Sequence, residues 1–476
     1  MAIERPPGPR AGEAVTEGEY GDRLVAVEPG GVEPVAESDR HGRPRQLFWT
    51  WASPNLEFAT IFVGVLSVSA FGLAFWQAAL AMALGNLLSA LAHGVLSARG
   101  PRHGVPQMVL GRVAFGYWGN LLPAALMSVM AGVGWFAVNS VSGAFALSTL
   151  THLPVLICLI IVVVLQIGIA FFGHNLVQAY ERYVFAVLAV VFVIAAVVIF
   201  SQANPSAKAA GGGVGGFLLA VGTAFGYTAG WNPYAADYTR YLPAAVNPRA
   251  VGMSAALGLF VSTTLLMLVG AASVTIGGSA SGNPTAAFTG HLPGALAAAT
   301  LLAVTLGAVA ANVLNIYSGA LAFLALGIRL PLAWRRAVVA LGFGTVGFVL
   351  AWLGLADAGH AYEGFLLVIA YWISPWLAVV LVDQYLRRGT PIDDLLSDTG
   401  HRNRAGTLAF VIGAVVSVGL FANQSLYTGP VPDHFPWVGD STFLVGFLVA
   451  GGLYALLGRR SAATAGSGRR RPAGSR

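Results

Sequence analysis

Apolar runs recur from Leu47 to Leu457 with only short polar breaks, and each is close to the roughly 20 residues a helix needs to cross a hydrocarbon core. That repetition leaves few folds open. Stretches such as Val155 to Phe172 and Tyr183 to Phe200 are apolar on every face, whereas a transmembrane β-barrel needs short segments alternating in polarity. Only 10% of the residues are charged and 56% are hydrophobic, against about 25% charged in an ordinary soluble domain. The chain is therefore expected to be an all-α membrane protein of about twelve transmembrane helices. The expected spans are 47–75, 77–98, 119–148, 153–172, 180–202, 214–240, 250–276, 293–327, 332–354, 361–385, 407–425 and 437–458, numbered here as helices one to twelve.

Charge sets the orientation. With the N-terminus cytoplasmic, every basic residue but one falls in an inner segment, and of the 26 only Lys208 lies outside. The outer carboxylates Asp357, Glu363, Asp433 and Asp440 sit in loops without a basic residue, in agreement. Residues 1–44 lack an apolar stretch of signal-peptide length and read as a disordered cytoplasmic tail. Residues 459–476 read as a basic cytoplasmic tail, whose arginines beside a last membrane helix suit anionic lipid rather than nucleic acid. A multi-pass protein of the cell membrane with both termini inside is expected; its oligomeric state stays open. Cys158, the single cysteine, excludes internal disulfides and cysteine-rich metal clusters.

With Lys208 as its one lysine, the chain can build neither a phosphate-binding P-loop nor a Schiff-base site. No HExxH, GxSxG or similar constellation occurs, so an embedded enzyme is not expected. A passive channel would show a filter or a ring of charges. Here polar and helix-breaking residues concentrate in a few helices instead. Helix one carries Trp51, Ser53, Pro54, Asn55 and Glu57, and helix six carries Tyr227, Thr228, Gly230, Trp231, Asn232 and Pro233. Proline removes a backbone donor and glycine loosens the turn, so both helices are expected to be interrupted and to line a cavity. The breaks lie five helices apart, the pattern of an inverted repeat with a midplane site. The expected organisation is a first repeat over 45–202, a second over 203–386, and two further helices over 387–458.

In helix three, Trp135 and Asn139 share a helical face, placing an aromatic plane beside a two-way amide, which suits a flat polar heterocycle. Helix eight adds Asn312 and Asn315, which either bond neighbouring helices or face a cavity.

At these residues the sequence resembles the nucleobase cation symporter family, in its purine-cytosine permease branch. The matching segments are Pro106-Gln107-Met108 with Arg112 and Phe115-Gly116, then Gly134-Trp135, Tyr234 to Tyr241, Asn312 to Ser318, and Ser374-Pro375 through Asp383. The resemblance implies a LeuT-type fold of two five-helix inverted repeats plus two helices, and cation-coupled uptake of a nucleobase by alternating access. It implies substrate contacts from Asn55, Trp135 as stacking platform, Asn139, Tyr227, Thr228 and Asn312. Thr228 departs from the aromatic residue of some members. For a coupling sodium ion it implies carbonyls near Trp51 and Pro54 and hydroxyls early in helix eight, where this chain has Leu306 and Gly307 with Thr305 alongside. Glu57 offers a proton route, since an intramembrane carboxylate is costly when charged. A proton is preferred over sodium, and no other cofactor is expected. Permeases for allantoin, hydantoin or another small nitrogenous compound are the rival reading, with a passive channel behind it. Asp237 and Arg240 are expected to form an inner-face pair.

Overall fold

The computed structural model describes residues 23–24, 31–277, 284–328, 341–342, 344–352 and 358–467. Among them, nine helices are long and apolar enough to cross a membrane, and Gln46–Asn55 with Phe58–Ser69 forms one further span bent by 60°. The shorter apolar helix Thr442–Gly458 stands where helix twelve was expected. Most of expected helix nine lies outside the described residues, as do Arg5, Arg10, Arg329, Arg335, Arg336, Asp357 and the arginines after Ser467; the described parts of helix nine, 341–342 and 344–352, are helical.

Buriedness sorts the helices into centre and rim. Helices four (Val155–Phe172), five (His174–Gln202) and eleven (Arg404–Phe421) bury about a third or less of their apolar windows, whereas helices six (Gly213–Thr239) and ten (Tyr362–Leu386) bury 72% and 78%. On helix five, Val187, Val190, Val193, Ile194 and Val197 form an exposed stripe at helical spacing, while Glu181, Leu188, Phe192, Ala195 and Ile199 form the buried one. The first stripe faces the hydrocarbon.

Helix one packs on helix seven (Pro248–Val274) and helix six on helix two (Phe75–Ser97), while helix three (Leu121–Thr151) packs on helix eight (Gly294–Ala325). These pairings are unchanged when each helix is exchanged with the one five places along, which is what an inverted repeat requires. Backbones meet directly between helices one and seven. A Cβ on Gly64 would lie 1.8 Å from the Met267 carbonyl oxygen, and one on Gly270 would lie 1.9 Å from that of Ile61. Small residues of this kind let membrane helices associate by close packing where no hydrophobic drive exists.

Several expected boundaries shift. Helix five starts at His174 rather than 180, because Gly173 (φ 90°) ends helix four and restarts the chain at once. Helix eleven stops at Phe421, followed by a two-stranded hairpin of Asn423–Gln424 with Tyr427–Thr428. Helix twelve begins at Thr442 and stays helical to Ser467, beyond the expected start of the tail. At its start Asp440 accepts from Tyr371 (2.6 Å), from the Asn423 and Thr442 amides, and from the Thr442 hydroxyl. Burial raises the Asp440 pKa, against the pull of those hydrogen bonds.

Within the expected tail, residues 31–44 lie against the bundle. Arg240 donates to the Gly31 carbonyl (2.7 Å), Arg40 to that of Pro101 (2.8 Å), and the His41 amide to that of Tyr241 (2.7 Å). Guanidinium groups out of water need acceptors: Gly31 of this segment provides one for Arg240, and Pro101 of the bundle one for Arg40. Asp237 accepts the Gln107 amide (2.9 Å), while Arg240 donates to Gly31, Tyr241 and Tyr317.

Candidate functional site

The break in helix one organises the centre. Pro54 sits early in a 3-10 turn, Ser53–Asn55, after which Leu56 (φ −83°, ψ 67°) and extended Glu57 (φ −147°, ψ 172°) leave the helical basin. Glu57 thereby becomes the N-cap residue of Phe58–Ser69, at the positive end of that half-helix. Helix six differs. Its break is a single 3-10 turn, Asn232–Tyr234, with Gly230, Trp231, Tyr234 and Ala235 all in the right-handed helical region. The expected interruption of helix six takes the form of this tightened turn between Ala229 and Ala235, because Pro233 occupies an early turn position where the missing N–H costs little.

Five side chains join helix one to helix six around the breaks. Trp231 Nε1 donates to Asn55 Oδ1 (2.9 Å), and Asn55 Nδ2 donates to the Trp51 carbonyl (2.6 Å). Tyr227 Oη lies 3.2 Å from Glu57 Oε1 and 2.5 Å from Thr60 Oγ1, which donates to the Asn55 carbonyl (2.6 Å). The chain from Glu57 through Tyr227 and Thr60 to Asn55 has three contacts and two hydroxyl protons. A protonated Glu57 supplies the third; its other oxygen, Oε2, is buried without a partner.

Above this chain stands Trp135, at the end of a π-helical turn, Met130–Trp135, which widens helix three by one residue. Its ring meets Tyr227 (5.4 Å), Phe365 (5.1 Å) and Tyr362 (6.4 Å), all steeply inclined, so none of the three stacks on its face. Gly230 of helix six lies opposite, where a Cβ would come 3.1 Å from Trp135 Nε1.

The amides form a second network. Asn312 Nδ2 lies within hydrogen-bonding reach of the Phe136 carbonyl (3.0 Å), Ser140 Oγ (3.2 Å) and Gln166 Oε1 (2.9 Å), while its Oδ1 accepts from Asn139 and Asn315 (both 3.1 Å). Asn312 is therefore a saturated hub joining helices three, four and eight. Asn139 keeps one buried acceptor, Oδ1, without a partner. Sequence reasoning missed Gln166, a lone amide in the apolar helix four, and Trp231, whose place beside Pro233 was its signal.

Two expected residues turn elsewhere. Thr228 donates to Asn86 Oδ1 of helix two (2.6 Å), since a step of one residue past Tyr227 rotates the side chain away from helix one. Thr305 donates to the Leu301 carbonyl (3.0 Å) and reaches that of Gly143 (3.5 Å), so it faces helix three and not the break. Gly307 meets the break instead, where a Cβ would lie 2.3 Å from the Leu56 carbonyl. Thr305 thus spends its hydroxyl on helix carbonyls while the Trp51 carbonyl accepts from Asn55, and no group of His, Cys, Asp and Glu suited to a metal occurs among the described residues.

A cavity of about 150 Å³ lies on one side of this cluster, lined by Phe58, Phe62, Val138, Ser142 and Tyr362. Another of about 370 Å³ lies on the other side, lined by His41, Gln46, Gln178, Arg182, Tyr238 and Tyr241. Tyr362 touches Trp135 and Tyr238 touches Trp51 (5.4 Å), so the break region stands between the two.

A family model of permeases for cytosine/purines, uracil, thiamine and allantoin matches residues 34–446. The chain belongs to this family. It is a permease and not an enzyme. Among its relatives, YxlA of Bacillus subtilis, which carries the name of a purine-cytosine permease, is 30% identical over 448 residues, 91% of this chain and 96% of its own. The purine-cytosine permease FCY2 of Saccharomyces cerevisiae is 28% identical, covering 85% of this chain and 80% of its own. The permease also shares its fold with Mhp1, a nucleobase-cation-symport-1 family transporter solved closed with bromovinylhydantoin bound. That likeness has a TM-score of 0.73 at 19% identity, over 91% of this chain and 96% of Mhp1. The LeuT-type architecture expected from the sequence is the one this permease has.

Proposed function

We propose that this permease imports a purine- or cytosine-like nucleobase by proton symport, through alternating access at the helix-one break. The unpartnered Asn139 Oδ1, one turn from the unstacked Trp135 ring, carries the substrate reading. A flat heterocycle on Trp135 offers a ring N–H to that acceptor, removing the cost of a buried unsatisfied oxygen. Asn55 and Tyr227 bound the same space through their ties to Trp231 and Glu57. Asn312 supports Asn139 from behind.

The proton reading rests on the hydrogen count at Glu57 and on Gly307 standing where a sodium ligand would need a hydroxyl. One positive charge moving inward gains about 2.3 kcal/mol per 100 mV, roughly a fifty-fold concentration ratio. The basic residues argue for a cell-membrane protein with both termini cytoplasmic, so that the cavity at Gln178 and Arg182 opens inward. Labelled cytosine, hypoxanthine, allantoin and hydantoin, offered to proteoliposomes with a proton or a sodium gradient, test the proposal. Proton-driven accumulation of cytosine or hypoxanthine supports it. Accumulation of allantoin or hydantoin alone sinks the substrate class, a sodium requirement sinks the coupling ion, and uptake that only equilibrates points to a channel.

A further inference from the structure

A second carboxyl flanks the same break. Glu181 of helix five is fully buried, and neither of its oxygens has a hydrogen-bond partner. Beside it is the hydroxyl of Ser53, the first residue of the 3-10 turn in helix one, itself buried and without a formed hydrogen bond. Glu57 and Glu181 thus lie at opposite faces of one interruption, the first against helix six and the second against helix five.

Among the described residues, none supplies Glu181 with a counter-charge. Helix five packs against helices one, four, seven and eight. The facing part of helix one contributes Thr50 and Ser53. Helix four has Cys158 as its one titratable group, helix eight has Tyr317, and helix seven has Arg249 in its first turn, near the membrane face. On helix five itself, Tyr180 donates to the Leu306 carbonyl (3.1 Å), while His174 and Arg182 line the inner cavity. An unpaired charge in such a place costs several kcal/mol, so the acid is held as COOH.

The inner cavity comes within one turn of it. Gln178, three residues before Glu181 and on the same helical face, lines that cavity and lies 2.8 Å from the Thr50 hydroxyl across helix one. We propose that Glu181 is a second proton-binding group of this permease, the one that exchanges its proton with the inner side. When helix five and the N-terminal half of helix one separate, water entering past Gln178 reaches the carboxyl. The O–H bond of Glu181 breaks, the proton leaves on water through the cavity, and the carboxylate remains hydrated until the helices close. Before re-closure Glu57 passes its proton across the break to Glu181, so the helices close over a neutral acid; Glu57 is then reprotonated from the outer side, and each turnover moves one proton inward. The inference rests on the proton-symport reading above and adds a residue that reading does not need.

The test uses full-length permease in proteoliposomes, with internal and external pH set independently and 100 mV imposed, comparing wild type, Glu181→Gln and Glu181→Asp. For Glu181→Gln we expect accumulation to fall from about fifty-fold to about one. Substrate exchange at equal pH and substrate affinity stay within about two-fold of wild type, and the dependence of efflux on internal pH is lost. Glu181→Asp recovers accumulation with a displaced internal-pH midpoint. Wild-type accumulation in Glu181→Gln, with its internal-pH profile unchanged, overturns the proposal and leaves proton symport standing. Wild-type uptake that ignores the proton gradient overturns both. Should Glu181→Gln not fold, Ser53→Ala decides: removal of the hydroxyl beside the acid shifts the internal-pH midpoint, and an unshifted midpoint refutes the assignment.

Discussion

Glu57 and Tyr227 are 170 residues apart in sequence and meet across the helix-one break, with Tyr227 Oη 3.2 Å from Glu57 Oε1. This contact joins a candidate proton site to the wall of the candidate substrate site, because the same tyrosine ring lies edge-on to Trp135 at 5.4 Å. A proton on Glu57 and a ring on Trp135, as proposed, would both act on this one side chain, which is the coupling a symporter needs.

Replacing Glu57 by Gln preserves the hydrogen-bond chain through Tyr227 but removes the titrating group. Accumulation should be abolished while exchange of labelled for unlabelled substrate continues. Counterflow in proteoliposomes measures both, and full accumulation in the variant would show that Glu57 carries no proton.

Trp135→Ala should raise KM for every substrate by roughly ten-fold or more, since loss of stacking and buried area is worth about 1–3 kcal/mol. Trp135→Phe should fall between. Transport kinetics with cytosine and hypoxanthine check this, and an unchanged KM removes Trp135 from the site.

Asn139→Ala and Asn312→Ala should separate recognition from support. Loss of the free Asn139 acceptor should weaken binding by about ten-fold with a modest change in Tm, at about 1–2 kcal/mol for one buried hydrogen bond. Asn312→Ala strands Gln166, Asn139 and Asn315 together, so thermal stability in detergent should fall first and further.

Gly307→Ser places a hydroxyl where sodium coupling would want one. Its Cβ would fall 2.3 Å from the Leu56 carbonyl, so helix eight must move off the break. The expected result is loss of transport and a lower Tm. A sodium-dependent, fully active variant would contradict this packing.

Much of the bundle was legible because a membrane helix is a local object. About twenty apolar residues are enough to define a span, and arginines next to its ends carry the orientation. The proposal that Trp135 and Asn139 act together could be made for the same reason, since helical spacing alone puts them on one face. Pro54 and Pro233 each marked a break, an extended one in helix one and a tightened turn in helix six. Trp231 and Gln166 went unassigned, their partners Asn55 and Asn312 being 176 and 146 residues away in sequence.

The sequence by itself determined the helical membrane bundle, its arginine asymmetry and the composition of the break, all of which follow from short-range periodicity and transfer cost. Only the tertiary structure decided how each helix is rotated about its axis. That rotation turned Thr228 to Asn86 and Thr305 to helix three, brought Gly307 against Leu56, and set Glu181 beside Ser53. It is settled by close packing of whole helix faces, where backbone contacts through glycine and the need to pair buried polar groups outweigh any single side chain's preference.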